Sequence, residues 1–142
     1  MTINEPGTGS SDINRDALVS RLRGLLEPHP EILFAYVHGS SAEGFPFRDV
    51  DVAVFLDEEA LKGRALSDYE TDLSTALTRA LQLPIDVRTL NHAPLGFQFN
   101  VTNGRLLISR DDARRFRFVE RTWIDYMDFR PIAEAILREA MR

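Results

Sequence analysis

The spacing of apolar residues along the chain predicts most of its helices and strands. From Asn14 to Glu27 leucines recur at three- and four-residue intervals, which predicts a helix that ends before Pro28. Residues 32–39, ILFAYVHG, form an apolar run of strand length, typical of a central strand covered on both faces. Residues 49–57, DVDVAVFLD, alternate between polar and apolar positions, which predicts a second strand.

The second half of the chain repeats these two kinds of pattern. Leucines four apart predict a helix over residues 67–83, with Ser67 as its N-cap and Glu70 completing a capping box. Shorter segments predict a strand at 84–90, a short helix at 95–101, a strand at 105–109 and helix from 111 to 142. We expect Pro131 to split that last helix, because proline removes a helical hydrogen bond.

The order of these elements predicts a mixed α/β (α+β) domain, with a small mixed β-sheet packed on helices. Residues 1–12 contain Gly, Ser and Pro and little to bury, so we assign them to a flexible N-terminal tail. Residues 13–142 then form a single domain with C-terminal helices. A chain of 142 residues is long enough for a hydrophobic core of its own.

Composition excludes several kinds of function. The net charge of −5 argues against a broad surface for nucleic acid, which is held by clustered positive charge. The chain has no cysteine, which excludes disulfides, thiolate metal sites and a cysteine nucleophile and fits a cytoplasmic protein. No apolar run approaches the roughly 20 residues that span a membrane, so we expect no membrane partner.

Two aspartates at the start of a strand are the strongest indication of chemistry. Asp49 and Asp51 share one face of their strand, with Cβ atoms roughly 7 Å apart, and ionised carboxylates at that distance repel. A divalent cation offsets the repulsion, and oxygen ligands suit Mg²⁺. Asp86 lies on the polar face of the third strand and joins the pair if the strands are neighbours. Three such acids could hold two ions for nucleotidyl transfer.

The turn before this strand adds a candidate phosphate site. Gly39 and Gly44 allow a ligand to approach the backbone, and Ser40 and Ser41 bring hydroxyl donors in little volume. Backbone N–H groups in such a turn can face phosphate oxygens. A Gly-Ser turn or an Asp-x-Asp pair alone often belongs to an ordinary loop or a solvated strand edge. Their occurrence in this order, with Asp86, favours a site for a nucleoside triphosphate.

Two further features have both a structural and a functional interpretation. In the last helix Phe116, Val119, Trp123 and Tyr126 recur at helical spacing, which predicts a core-facing stripe or, alternatively, part of an interface. His38 precedes the glycine turn, and we expect it to be a packed strand-end histidine rather than a nucleotide contact.

With these residues in place, the chain resembles the nucleotidyltransferase superfamily with the DNA-polymerase-β-like fold. That family has a Gly-Ser turn, Asp-x-Asp on the next strand and a third Asp on a later strand; here these are Gly39–Ser40, Asp49–Val50–Asp51 and Asp86. The length most closely resembles the minimal nucleotidyltransferases (MNT), which in many bacteria and archaea are antitoxin partners of HEPN-domain toxins. The Asn-x-Ala-Pro loop at 91–94 and the Tyr-x-Asp at 126–128 support that resemblance.

The resemblance implies a function as well as a fold. It implies that Asp49, Asp51 and Asp86 bind two Mg²⁺ ions and carry catalysis, with ATP as substrate. It implies that Gly39, Ser40, Ser41 and Gly44 hold the nucleotide. The implied reaction is AMP transfer to a tyrosine hydroxyl of a partner HEPN toxin.

Two alternatives to the antitoxin function remain open at this point. The chain could adenylylate a small molecule of the aminoglycoside type, although such enzymes usually carry an additional substrate-binding domain. It could also be a non-catalytic module that binds a nucleotide or a partner protein. The sequence leaves open the acceptor, the base preference, the number of nucleotides added and the formation of homo-oligomers.

Overall fold

A computed structural model describes residues 8–39 and 49–141 of the chain. Their elements follow the predicted order: α1 (Thr8–Leu26), β1 (Ile32–His38), β2 (Val50–Leu56), α2 (Leu66–Leu81), β3 (Ile85–Thr89), α3 (Leu95–Thr102), β4 (Arg105–Ser109) and α4 (Asp112–Ala140). A short 3₁₀ helix that the sequence did not predict, Glu58–Leu61, follows β2.

The strands form one mixed sheet with the order β3-β2-β1-β4. β1 is antiparallel to both β2 and β4, whereas β2 and β3 are parallel. The predicted fold class is therefore confirmed, and so is the central position of β1. The predicted neighbourhood of the second and third strands is also confirmed, and it brings their polar faces together.

Helices cover the two faces of the sheet unequally. Alternate strand residues such as Val52 and Val87 pack with apolar residues of α1 and α2, including Leu22 and Leu77, in the larger part of the core. The opposite face packs around Phe34, with residues of α3 and the start of α4. That second layer is smaller, and it leaves the polar residues of β2 and β3 on an open part of the face.

Polar side chains of α2 bind the free edge of β3. The hydroxyls of Thr78 and Ser74 accept hydrogen bonds from the backbone N–H groups of Ile85 and Val87, at 3.0 and 2.9 Å. The Glu70 carboxylate accepts from the Thr89 N–H at 2.7 Å and from its hydroxyl at 2.8 Å. Because these three α2 residues are four apart, they share one helix face and satisfy alternate N–H groups of the edge strand.

The capping box predicted at the start of α2 is wrong. The helix begins at Leu66, and its N-cap residue Ala65 makes no side-chain hydrogen bond. Glu70 binds Thr89 on β3 instead of the backbone at the helix start. A local sequence motif could not anticipate this, because the preferred partner comes from an element 19 residues away.

The split predicted at Pro131 is also wrong, because α4 continues from Asp112 to Ala140 with Pro131 inside it. The proline lies on an exposed part of the helix, where water can replace the hydrogen bond that its missing N–H would have made. At the other end of the chain, α1 begins at Thr8, before the predicted Asn14. The predicted tail, residues 1–12, lies partly outside the described residues.

The predicted core stripe of α4 is largely exposed. Phe116 and Trp123 have 58 and 37% of their surface accessible, Met127 beside the stripe has 46%, and only Thr122 of this helix is buried. Tyr126 stacks on Phe99 of α3 with ring centroids 3.9 Å apart. Trp123 also contacts α3, where its ring centroid lies 4.8 Å from that of Phe99 and its Nε1–H donates to the Thr102 hydroxyl at 2.9 Å. The exposure that these side chains nevertheless keep favours the alternative interpretation, an interface.

One arginine links the segment after β4 to the end of α1 and the start of β1. The Arg110 guanidinium, directly after β4, donates to the carbonyls of Ile32, Leu26 and His29 at 2.8, 3.1 and 3.1 Å and also to that of Glu27. It thereby satisfies carbonyls at the C-terminal end of α1, which have no partner within the helix. In the part of the chain that the structure describes, no helix is both long and apolar enough to cross a membrane.

Candidate active site

The site is assembled where β1, β2 and β3 meet at one end of the sheet. The parallel register of β2 and β3 places Asp51 opposite Asp86, and the antiparallel register of β1 and β2 places His38 opposite Asp51. Because Val50 and Val52 point into the core, Asp51 must point to the opposite face, and Asp86 does the same on its strand.

Asp49, Asp51 and Asp86 line one cleft of about 420 Å³. Thr78 and the segment 84–85 complete its walls. Asp49 and Asp86 are exposed, whereas Asp51 is half-buried. The structure therefore brings together the three carboxylates that the sequence singled out, in a place that solvent and a ligand can reach.

Gly39 lies next to this cleft, and a glycine is required there for two reasons. Its φ is +80°, a conformation that residues with a side chain rarely adopt. A Cβ atom at this position would also lie 2.7 Å from Oδ2 of Asp51. The backbone of Gly39 thus lies against the Asp51 carboxylate. The other predicted nucleotide-binding residues, Ser40, Ser41 and Gly44, lie outside the described residues.

His38 adjoins the carboxylates from the β1 side. Its ring packs edge-on against Phe97, with centroids 5.4 Å apart. Burial lowers the pKa of the His38 imidazole, although the carboxylates of Asp51 and Asp86 oppose this shift. The Arg88 guanidinium adds to the lowering. His38 is accordingly a packed histidine at the end of β1, as expected from the sequence.

Arg88 is a residue of the site that sequence reasoning did not select. Its Nε donates to Oδ2 of Asp86 at 3.3 Å, and both side chains are more than half exposed. Such an exposed pair contributes little to stability. Arg88 also lines a cleft of about 220 Å³ with His38, Asp51, Asp86 and Phe97. Its position two residues after Asp86 was the available signal, because alternate residues of a strand share a face.

The donor set suits a hard cation that is shared with a phosphate. Across residues 8–39 and 49–141, no three His, Asp or Glu side chains are grouped closely enough to hold a metal ion by themselves. Mg²⁺ is usually bound by one or two carboxylates together with substrate phosphates and water, rather than by a complete protein cage. Asp49, Asp51 and Asp86 in an open cleft fit that kind of site.

The fold has relatives among solved structures. A chain of a mutant MntA–HpeT toxin–antitoxin matches with a TM-score of 0.70 and 20% identity, covering 87% of this chain and 98% of that one. A toxin–antitoxin with AMP-PNP gives the same values. A tri-AMPylated Shewanella oneidensis HEPN toxin in complex with an MNT antitoxin matches with a TM-score of 0.65 and 20% identity, covering 93% and 99%. At these identities the likeness concerns the fold.

A search of curated proteins gave no significant match. A sequence model of the family described as "Polymerase beta, Nucleotidyltransferase" matches residues 20–113. This segment is more than half of the chain and contains Gly39 and all three aspartates of the cleft. The chain belongs to the polymerase β nucleotidyltransferase family.

Proposed function

We propose that the chain is a magnesium-dependent nucleotidyltransferase that moves AMP from ATP to a tyrosine hydroxyl of a HEPN-domain toxin, and so acts as its antitoxin. The observation that carries the proposal is the meeting of Asp49, Asp51 and Asp86 in one cleft beside the Gly39 turn. Two relatives of the same fold support it, one crystallised with AMP-PNP and one in complex with a tri-AMPylated HEPN toxin.

The three carboxylates would hold two Mg²⁺ ions together with the triphosphate. When bound, the metal supplies positive charge that offsets the charge on the attacking and leaving oxygens. On the protein side, the Gly39 backbone lets a phosphate approach Asp51 without a side chain between them. We assign Ser40, Ser41 and Gly44 to the terminal phosphates on the basis of the sequence pattern.

The transfer itself makes one bond and breaks one bond. The acceptor hydroxyl oxygen attacks the α-phosphorus, and the bond from that phosphorus to the oxygen bridging to the β-phosphate breaks. Pyrophosphate leaves with the bonding electrons, and a carboxylate oxygen of Asp86 takes the hydroxyl proton. Arg88 lies beside that carboxylate and would orient it before the transfer.

In the resemblance described above, the HEPN toxin is a ribonuclease, and AMP on a tyrosine near its active site would add bulk and negative charge where RNA must bind. Inhibition of the toxin follows from that change. Because the toxin acts on cellular RNA, the proposal places the chain in the cytoplasm with its partner.

The test is transfer of labelled AMP from ATP to a HEPN-domain protein encoded beside this chain, with and without magnesium. We expect transfer only with magnesium, and at least a hundredfold loss of kcat in Asp86→Asn because a positioned proton acceptor is removed. Asp68→Asn is the matched control, since Asp68 is exposed on α2 and lines none of the clefts described above. Wild-type rates in Asp86→Asn would overturn the role of Asp86.

The same assay separates the two alternative functions. Transfer to an aminoglycoside in the absence of any protein partner would indicate a small-molecule adenylyltransferase. Nucleotide binding without transfer to either acceptor would indicate a non-catalytic module. Either result would contradict the proposed antitoxin reaction and support the corresponding alternative.

A further inference from the structure

A larger cleft adjoins the candidate active site along the free edge of β3. It encloses about 750 Å³ and is lined by residues of α2, of β3 and of the segment that leads into α3. Asp86 and Arg88 belong both to this cleft and to the smaller cleft beside His38. Asp86 also lines the cleft of the three aspartates, so it is the point at which all three spaces meet.

The position of the larger cleft leaves it free of the triphosphate. None of its lining residues comes from β1 or β2, and it includes neither Gly39 nor Asp49 nor Asp51. A triphosphate bound as proposed above would lie on the other side of Asp86, next to Gly39 and the Asp49–Asp51 pair. A transfer enzyme needs a second binding place within reach of the same carboxylate, and this cleft has the required position.

Besides the charged or titratable residues Glu70, Asp86, Arg88 and His92, the walls of the larger cleft have two further kinds of surface. One is apolar and partly aromatic, with Phe97, Pro94, Ala93 and Leu66. The other carries hydroxyl groups of α2, those of Thr71, Ser74 and Thr75. This combination suits an aromatic side chain with a polar tip, since the ring can contact the apolar wall while the hydroxyl points to Asp86.

The edge of β3 restricts how a protein acceptor can bind here. The N–H groups of Ile85, Val87 and Thr89 already donate to α2 side chains. An acceptor segment therefore cannot pair with β3 through these donors as an added strand. The chain would therefore recognise the acceptor protein through a side chain that enters the cleft.

We propose that this acceptor cleft receives the tyrosine side chain that accepts AMP, an inference that rests on the function proposed above. The phenol ring lies along Phe97 and Pro94, and its oxygen reaches the α-phosphate beside Asp86. That oxygen forms the new bond to phosphorus, pyrophosphate departs, and the phenolic proton passes to Asp86.

The test fills the acceptor cleft without touching the carboxylates. Thr75 is exposed on α2 and lines the cleft, so Thr75→Trp places a ring inside it. Ala76 is the next residue, also exposed but not part of the cleft, and Ala76→Trp is the matched control. Thr71→Trp, one turn earlier on the same wall, is the second variant if Thr75→Trp does not fold.

Two quantities are measured for each variant: kcat/KM for AMP transfer to the toxin, and the Kd of a non-hydrolysable ATP analogue by calorimetry with magnesium. We expect Thr75→Trp to lower kcat/KM at least tenfold with an unchanged Kd, and Ala76→Trp to change neither. Unchanged transfer in Thr75→Trp would overturn the inference. A weakened Kd would also overturn it, because the cleft would then hold the base or ribose.

These outcomes are distinct from failure of the proposed function. If the unmodified chain binds the analogue but transfers AMP to no toxin, the antitoxin reaction fails and the acceptor cleft fails with it. If the unmodified chain transfers AMP and Thr75→Trp does so equally well, only the acceptor cleft is wrong.

Discussion

The two faces of the sheet differ in what they contribute to the molecule. Under α1 and α2 the face is apolar across all the strands, and the largest part of the core lies there. On the opposite face, the aromatic residues around Phe34 fill only part of the area, and Asp51, Asp86 and Arg88 occupy the rest. Because side chains alternate along β2 and β3, residues that pack in the core alternate with residues of the candidate site.

The sharpest test of this comparison is a pair of substitutions at neighbouring positions of β2. Val52 is fully buried on the core face, and Val52→Asp would place an uncompensated carboxylate in it, which we expect to cost more than about 4 kcal/mol and to unfold the domain. Asp51→Asn removes charge repulsion on the other face, so we expect the free energy of unfolding to stay equal or rise while AMP transfer is lost.

Urea unfolding monitored by circular dichroism, with the transfer assay on the same preparations, measures both effects. A folded Val52→Asp, or an Asp51→Asn as unstable as it, would contradict the division of roles between the faces.

A substitution at the edge of β3 is expected to have an effect of intermediate size on stability. Ser74→Ala removes the acceptor for the Val87 N–H, a part-buried hydrogen bond, and leaves that donor unsatisfied. We expect a loss of about 1–3 kcal/mol in the free energy of unfolding. Thr71→Ala is the control, because the Thr71 hydroxyl donates only to the Ser67 carbonyl within the same helix. Denaturant midpoints measure the difference, and equal midpoints for the two variants would contradict a role for the edge contacts.

The smallest expected effect lies far from the site, in the pair Glu31 and Tyr69. Burial raises the pKa of Glu31, but the hydrogen bond from the Tyr69 hydroxyl at 2.6 Å and further contacts outweigh it, so the net pKa lies below its ordinary 4.5. A carboxyl group with a lowered pKa stabilises the fold above its unfolded pKa, and this contribution is lost as the pH falls through the folded value.

We therefore expect the wild-type chain to lose stability between pH 5 and lower values more steeply than Tyr69→Phe, which lacks that hydrogen bond. Melting temperatures across this range measure the slope. Parallel pH profiles for the two proteins would show that the contact with Tyr69 does not set the pKa of Glu31.

The sequence predicted those parts of the molecule that depend on periodicity. The apolar run of β1 identified a central strand, and alternation in DVDVAVFLD and PIDVRTL placed Asp51 and Asp86 each on the polar face of its own strand. The same alternation predicted that the Asp49 side chain lies on the same face as that of Asp51. These results depend only on side-chain direction, which the local pattern fixes.

The features that the sequence did not predict depend on distant partners. Glu70 fits a capping box locally, yet its partner is Thr89. Trp123 fits a core stripe, yet its partners on α3, Phe99 and Thr102, leave 37% of its surface exposed. Arg88 entered the site only because β3 lies beside β2 with Asp86 facing Asp51. In each case the sequence alone did not show which element would lie opposite the residue.

The position of β1 between β2 and β4 has a consequence for synthesis of the chain. One side of β1 pairs as soon as β2 is made, but the other side waits for residues 105–109, and the end of α1 waits for Arg110. A nascent or truncated chain that stops before β4 therefore keeps an apolar central strand with one open edge. Most of the chain must leave the ribosome before β4 can complete the sheet.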